Sequence, residues 1–271
     1  MSRRTLPDGR WLLCVAMALA ALLPQRAAAQ PTPDEIAERS LRAFYYAGAD
    51  FRARVSMALV NAQGRQRRRD LTMLRKNLGT AGDQRYFIYF HSPPDVRGMT
   101  FMVWKLSEGD DDRWIFVPAL NMVRRIAASD KRSSFVGSDF TYEDLSGRAV
   151  DDESHHLLGS EDLGGRRCFV LESRPKEPTD YVRRVAWIDE ERWLPLKEEY
   201  FDSREQKVRE FSADEVREVD GYWTVTKRTM RNLQTRHHTE VVFGEVSFDV
   251  GLEEDLFSER YLRRPPREWT R

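Results

Sequence analysis

From Phe51 onward apolar and polar positions alternate. Phe51, Ala53, Val55, Met57 and Leu59 are apolar, and Arg52, Arg54 and Ser56 fall between them. A period of two predicts a strand with one buried face. Just before it the spacing is helical, with Ile36, Leu41, Phe44 and Tyr45 on one stripe. Thr32 or Asp34 can cap the start of this helix, predicted over 34–46, and Gly48 ends it. Turn signals then recur at strand-length intervals, at 61–64, 79–82, 93–94, 108–112, 164–165, 202–205 and 220–221. About ten or eleven strands fit between them. No helical segment of crossover length separates them, which argues for an antiparallel meander over a parallel α/β sheet. The most apolar strands, at 86–90, 99–104, 113–117, 182–188 and 241–250, include several with large residues on both faces. A strand apolar on both sides must be covered on both sides.

The most specific block runs from Trp114 to Leu145, WIFVPALNMVRRIAASDKRSSFVGSDFTYEDL. It reads as an aromatic strand, a proline turn, a basic strand and a loop both apolar and acidic. With its GSDFTYEDL core it resembles the signature region of the outer-membrane lipoprotein-sorting family, the LolA-like periplasmic lipid carriers. The resemblance extends more weakly from about Asp34 to the C-terminus, through GYWTVTKRTM at 221–230 and LFSERYL at 256–262. It implies a mainly β fold: a curved, incompletely closed antiparallel β-barrel, with an N-terminal helix and short helices and loops over its concave face. It also implies carriage of acyl chains.

The N-terminus sets the compartment. Arg3, Arg4 and Arg10 precede an apolar run over 11–23, Pro24 breaks it, and Ala27, Ala28 and Ala29 supply small residues for cleavage. This is the pattern of a secretory signal peptide over 1–29, followed by a single domain over 30–271. The run is shorter than the roughly 20 residues a spanning helix needs. Arg3-Arg4 also resembles a twin-arginine signal, an alternative export route. Periplasmic localisation follows as the expectation.

Charge and cysteine usage narrow the function. The whole chain balances 44 basic against 44 acidic residues. Without residues 1–29 the balance is 40 to 43, so no bulk nucleic-acid footprint is expected. Cys14 lies in the apolar run, which leaves Cys168 without a disulfide partner, most simply as a small buried hydrophobe in a strand. Neighbours in a strand face opposite ways, so neither His155-His156 nor His237-His238 can chelate one ion, and both pairs read as surface or edge-strand histidines. Asp110, Asp111 and Asp112 lack calcium-loop spacing and read as a solvated hairpin end. HExxH, GxSxG, CxxC and P-loop patterns are absent from the sequence, so neither catalysis nor a metal or cofactor is expected. Arg65, Arg67 and Arg69 share a strand face that protects an edge or meets anionic headgroups.

Large open barrels must be plugged or hold a ligand. Met57, Met73, Phe87, Met99, Phe101, Trp114 and Phe116 are the candidates for a cavity lining, since Met adapts to varied chains. Taken singly each reads as ordinary core; the resemblance turns the group toward a cavity. Residues 133–145 form a candidate lid, with Phe135, Phe140 and Tyr142 shielding the cargo and Asp139, Glu143 and Asp144 holding it. The competing reading is a surface loop in which Ser133 or Ser138 caps a short helix, and TYED can itself begin one. The expected function is a non-enzymatic carrier moving a lipid or lipoprotein toward the outer membrane. Its expected partners are acyl chains, an inner-membrane transporter and transient membrane contact. The alternative is a periplasmic accessory subunit of a membrane exporter, with a filled core. A hydrolase built from scattered Ser, His and Asp residues is a third, weaker reading.

Overall fold

The computed structural model describes Met1 and residues 30–79, 82–177 and 179–270. The signal-peptide expectation lies outside the described residues. The first element, α1 (Pro33–Tyr45), begins at a reciprocal cap: Thr32 Oγ1 accepts from the Glu35 amide at 3.2 Å and Glu35 Oε2 accepts from the Thr32 amide at 2.8 Å. Two of the helix's orphan amide donors are thereby satisfied.

Thirteen strands follow: β1 (Asp50–Val60), β2 (Gln66–Leu78), β3 (Asp83–Ser92), β4 (Thr100–Lys105), β5 (Asp112–Val117), β6 (Met122–Ile126), β7 (Glu153–Leu163), β8 (Arg166–Pro175), β9 (Arg183–Asp189), β10 (Pro195–Phe201), β11 (Lys207–Val219), β12 (Tyr222–Asn232) and β13 (His237–Phe248). This is more than the ten or eleven expected from turn spacing. Strands such as β11 carry charge at so many positions that apolar alternation identifies them poorly. Each predicted turn falls between two strands.

All thirteen strands form one antiparallel sheet in the order β6-β5-β4-β3-β2-β1-β13-β12-β11-β10-β9-β8-β7. Pairing is sequential except at one seam, where β1 meets β13, with Met57 opposite Val241 and Phe51 opposite Phe248. The edge strands β6 and β7 do not pair, so the barrel stays incompletely closed. The chain between those edges, residues 127–152, contains α2 (Glu143–Ser146) and the candidate lid.

Both faces of β2–β5 are covered, as their two-sided apolarity requires. On the concave face Met57, Leu71, Met73, Ile88 and Phe101 belong to the main core. On the convex face Leu74, Phe87, Met102, Trp114 and Phe116 pack against Leu252, Leu256, Phe257 and Leu262, from the segment that carries α3 (Arg260–Arg263). Asp50 starts this segment on its path by accepting from the amides of Val250 and Leu252, each at 2.7 Å. Further on, Trp104 Nε1 donates to Phe257 O at 2.7 Å and Thr100 Oγ1 to Leu262 O at 2.8 Å. A third cluster joins Ile36 of α1 to Phe169, Leu171, Ala186 and Ile188, placing the helix over the β8–β9 half of the sheet. Cys168 is fully buried on β8, and burial pushes its thiol up to about 11, reinforced by Asp189, Glu190 and Asp162.

Phe257 is 1% exposed at the centre of the convex cluster. Phe257→Ala should cost about 3–5 kcal/mol in denaturant unfolding. A loss below about 1 kcal/mol would mean that the C-terminal segment does not stabilise the sheet.

Candidate functional site

The site is the concave face and the segment that closes it. Residues 133–145 enter as a small irregular hairpin, with one bridge between Ser134 and Thr141 and the Phe135 amide bonded to Phe140 O at 2.7 Å. At its end Thr141 and Asp144 cap each other, the Thr141 amide donating to Asp144 Oδ2 at 2.8 Å and the Asp144 amide to Thr141 Oγ1 at 3.1 Å. The TYED sequence therefore begins a helix, α2, through Thr141. Of the serines considered as caps, Ser138 Oγ donates to Phe140 O instead.

The lid aromatics point into the barrel. Phe135 is 1% exposed, Phe140 3% and Tyr142 7%. The Phe101 ring lies 5.4 Å from Phe135 and 5.3 Å from Tyr142, and Phe90 lies 6.0 Å from Phe135. These edge-on and tilted contacts are the geometry aromatic quadrupoles favour. The surface-loop reading is thereby corrected, because the segment fills the mouth of the barrel.

The candidate cavity residues separate into two groups. Met57, Met73 and Phe101 belong to the concave core, and Met99 packs against it. Phe87, Trp114 and Phe116 lie on the convex face beneath the C-terminal segment, so they do not line the same space. The cause is strand alternation: Met102 stands opposite both Phe87 and Trp114, and Phe101 faces the other way.

The acidic lid residues also take a different role from the one expected. Asp139 Oδ2 accepts from Thr239 Oγ1 at 2.7 Å and lies 2.5 Å from His237 Nδ1, while the Asp139 amide donates to Thr239 Oγ1 at 3.0 Å. His237 is thus a lid contact and not a free surface histidine. Glu143 is held by Arg148 Nε at 2.7 Å, with Arg132 and Lys131 at 3.5 and 3.6 Å. Asp144 meets Arg148 at 3.0 Å and Arg209 at 3.2 Å. Arg69, read as part of an exposed ladder with Arg65 and Arg67, is buried instead and donates to Val136 O in the lid. The charges of the candidate lid thus bind protein partners and fix the segment in place.

Behind Asp144 the ionic network continues across the β7–β11 half. Arg184 bridges Glu153 and Glu198, at 2.6 Å to each. Tyr181 OH donates to Glu153 at 2.9 Å and Tyr200 OH to Glu198 at 2.6 Å. Arg209 lies 4.3 Å from the Tyr200 ring, and Tyr200 stands opposite Arg209 in the β10–β11 ladder. Burial alone would raise the pKa of both Asp144 and Glu153. The facing arginines overcome it, Arg209 and Arg148 for Asp144 and Arg184 and Arg148 for Glu153, and hold each carboxyl at about 2.

The lid's exit is equally constrained. Lys105 Nζ donates to Ser146 O at 2.6 Å and to Gly147 O at 2.9 Å, and its burial lowers it to about 8. Gly147 has φ +76°, and a Cβ there would meet the Tyr45 ring at 2.9 Å. Only glycine allows α1 and the lid to approach so closely. Two small spaces border the segment: a cavity of about 80 Å³ between α1, residues 133–145 and β8–β12, and one of about 60 Å³ beside it. An engineered apolar cavity of ~150 Å³ accommodates benzene, so neither space is large enough for a long acyl chain. Among the described residues no three His, Cys, Asp or Glu side chains converge as metal ligands, and no helix is long and apolar enough to cross a membrane.

The residues that only the fold assembled, among them Arg148, Arg184, Arg209, Glu153 and His237, carry no local signature. The nearest to one is the cross-strand Tyr200–Arg209 pair, visible only once register is known.

Comparison with known proteins supplies the context. A family model described as an uncharacterized protein matches residues 82–264. A DUF1329-family protein from Desulfovibrio piger is 30% identical with a TM-score of 0.79, over 85% of this chain and 97% of that one. A putative outer membrane lipoprotein-sorting protein domain from Vibrio parahaemolyticus is 31% identical with a TM-score of 0.78, over 86% of this chain and 98% of that one. A LolA superfamily protein from Nitrosomonas europaea shares the fold at 16% identity, with a TM-score of 0.67, over 86% of this chain and all of that one. No curated protein matches the chain.

Unfolded carboxyls titrate near 4, so Asp144 and Glu153 bind fewer protons folded than unfolded between about pH 2 and 5. Their stabilisation is complete above about pH 5 and is lost as pH falls through about 2. Urea unfolding across pH should therefore show a plateau above about pH 5 and a decline of a few kcal/mol below it. Asp144→Asn should flatten that decline; an unchanged slope would remove Asp144 from the account.

Proposed function

This chain belongs to the DUF1329 and outer-membrane lipoprotein-sorting group of the LolA superfamily, and from that premise we propose that it is a periplasmic carrier of acyl chains. Its cargo is a lipid or lipoprotein, taken up at an inner-membrane transporter and passed toward the outer membrane, without catalysis. The observation that carries this reading is the cover of the barrel. The concave apolar face is sealed by a discrete segment, residues 133–145, through side-chain bonds at its rim and four buried apolar residues, Phe135, Phe140, Tyr142 and Leu145.

The magnitudes favour exchange. Burying four such side chains contributes about 6–12 kcal/mol. A 14-carbon acyl chain entering the same space would contribute on the order of 10 kcal/mol before ordering costs. Lid and cargo are then near-equal competitors for one surface, which permits both loading and release. A sealed core could not be emptied so readily, and a permanently open one would expose its apolar face to water.

One observation favours the second reading, an accessory subunit with a filled core. The interior spaces of about 80 and 60 Å³ are too small for cargo as the lid now stands. Native mass spectrometry of the exported protein, purified without detergent and followed by lipid analysis, separates the two. Stoichiometric bound lipid is the expected result. An apo mass that also ignores added fluorescent fatty acid would favour the accessory subunit. If the carrier reading holds, Phe140→Ala with Tyr142→Ala should keep the fold and lower lipid retention several-fold. Unchanged lipid content in the folded variant would remove the lid from the mechanism.

A further inference from the structure

Among the described residues, one cation lining the cavity beneath the lid is in contact with no carboxylate. Arg228, on the concave side of β12 beside Met230, lines both interior spaces. Among the described residues its guanidinium has no hydrogen-bond or ion-pair partner; its Nε is cut off from solvent, while the side chain as a whole is half-buried. Its neighbours are aromatic rings, with Phe243 at 4.6 Å and Phe44 and Phe140 at 5.4 Å each. The other charged groups around the cavity are matched. Asp144 is bonded to Arg148 and Arg209, and Arg184 holds both Glu153 and Glu198.

An arginine has five N–H donors, and ring faces satisfy none of them as an acceptor would. Burial works against its charge and lowers its pKa. A stability role would favour an apolar residue here or a carboxylate beside it. The position is instead poised for an acceptor that arrives from outside. Phe140 is one of the three rings, so displacing the lid would uncover more of the guanidinium beside the apolar space.

We propose that Arg228 is an anion-recognition site for the cargo, and that the protein prefers acyl lipids whose polar end is a carboxylate or phosphate over neutral ones. The inference rests on the carrier reading and narrows its cargo. Diacylglycerol, ester-capped chains and other uncharged acyl groups would fill the apolar face yet leave the guanidinium bare. An anionic headgroup would receive charge-assisted hydrogen bonds from the planar fork of Arg228, the geometry that suits both carboxylate and phosphate.

The test compares matched probes on the delipidated exported protein: oleate against methyl oleate, and dioleoyl phosphatidate against dioleoylglycerol. Wild type should bind at least one anionic member roughly tenfold or more tightly than its neutral partner. Which pair discriminates identifies carboxylate or phosphate as the headgroup. Arg228→Met should bring that ratio close to one without changing the affinity for the neutral probe, and Arg228→Lys should retain part of it. Removing a half-buried charge without a partner should leave the apo melting temperature unchanged or raised. A ratio that persists in Arg228→Met, wild-type affinities that ignore charge, or an Arg228→Met variant that is markedly destabilised would overturn the assignment in favour of a structural cation–π role. If wild type binds none of the four probes, the carrier reading falls and the site falls with it.

Discussion

A thirteen-stranded sheet whose edge strands never meet leaves its concave face to be covered by something other than strands, and the rest of the structure answers that constraint. Closing the barrel by β6–β7 pairing would have sealed the interior with backbone hydrogen bonds. The chain instead crosses between these edges as residues 127–152 and covers the opening with side chains. Over the other half of the sheet α1 does the same, anchored by Ile36 among Phe169, Leu171, Ala186 and Ile188. The two covers meet where Gly147 touches Tyr45, a junction without room for a side chain. Convex coverage by Phe257 and Leu262 stiffens the β2–β5 wall from behind.

What positions the cover is electrostatic and directional. Buried ion pairs add little over a well-packed apolar replacement, whereas losing one partner costs about 3–5 kcal/mol. Such a clasp therefore holds one lid position strongly without requiring much net stability. Asp144 between Arg148 and Arg209, Asp139 on Thr239 and His237, and Arg69 on Val136 O each tie the lid to a different part of the barrel. The apolar contacts of Phe135, Phe140 and Tyr142 have no such directionality, and in the proposed carrier an acyl chain would replace them. This division separates what positions the lid from what a cargo would displace.

Much of the architecture was legible before any coordinates. The alternation of 51–59 is the burial pattern of β1, the turn signals fall between strands, and the two-sided apolarity of β3–β5 correctly demanded two covers. The helix at α1 and its Thr32 cap were readable because capping is local chemistry. Charge-rich strands such as β11 were less so, since their regularity lies in backbone pairing more than in apolar spacing.

The candidate site was legible only in part. Phe135, Phe140 and Tyr142 could be grouped as a candidate lid from their place in the GSDFTYEDL block, and the structure buries all three in the concave core. Sequence alone determined the antiparallel strand framework and the α1 cap, because these depend on local periodicity, turn and capping chemistry. Only the tertiary structure decided that Phe87, Trp114 and Phe116 face away from Phe101, that Asp144 meets an arginine 65 residues distant, and that Arg228 contacts no carboxylate among the described residues. Which face a strand presents and which charges meet across a barrel are set by register and closure. Those are properties of the whole sheet, and no short stretch of the chain encodes them.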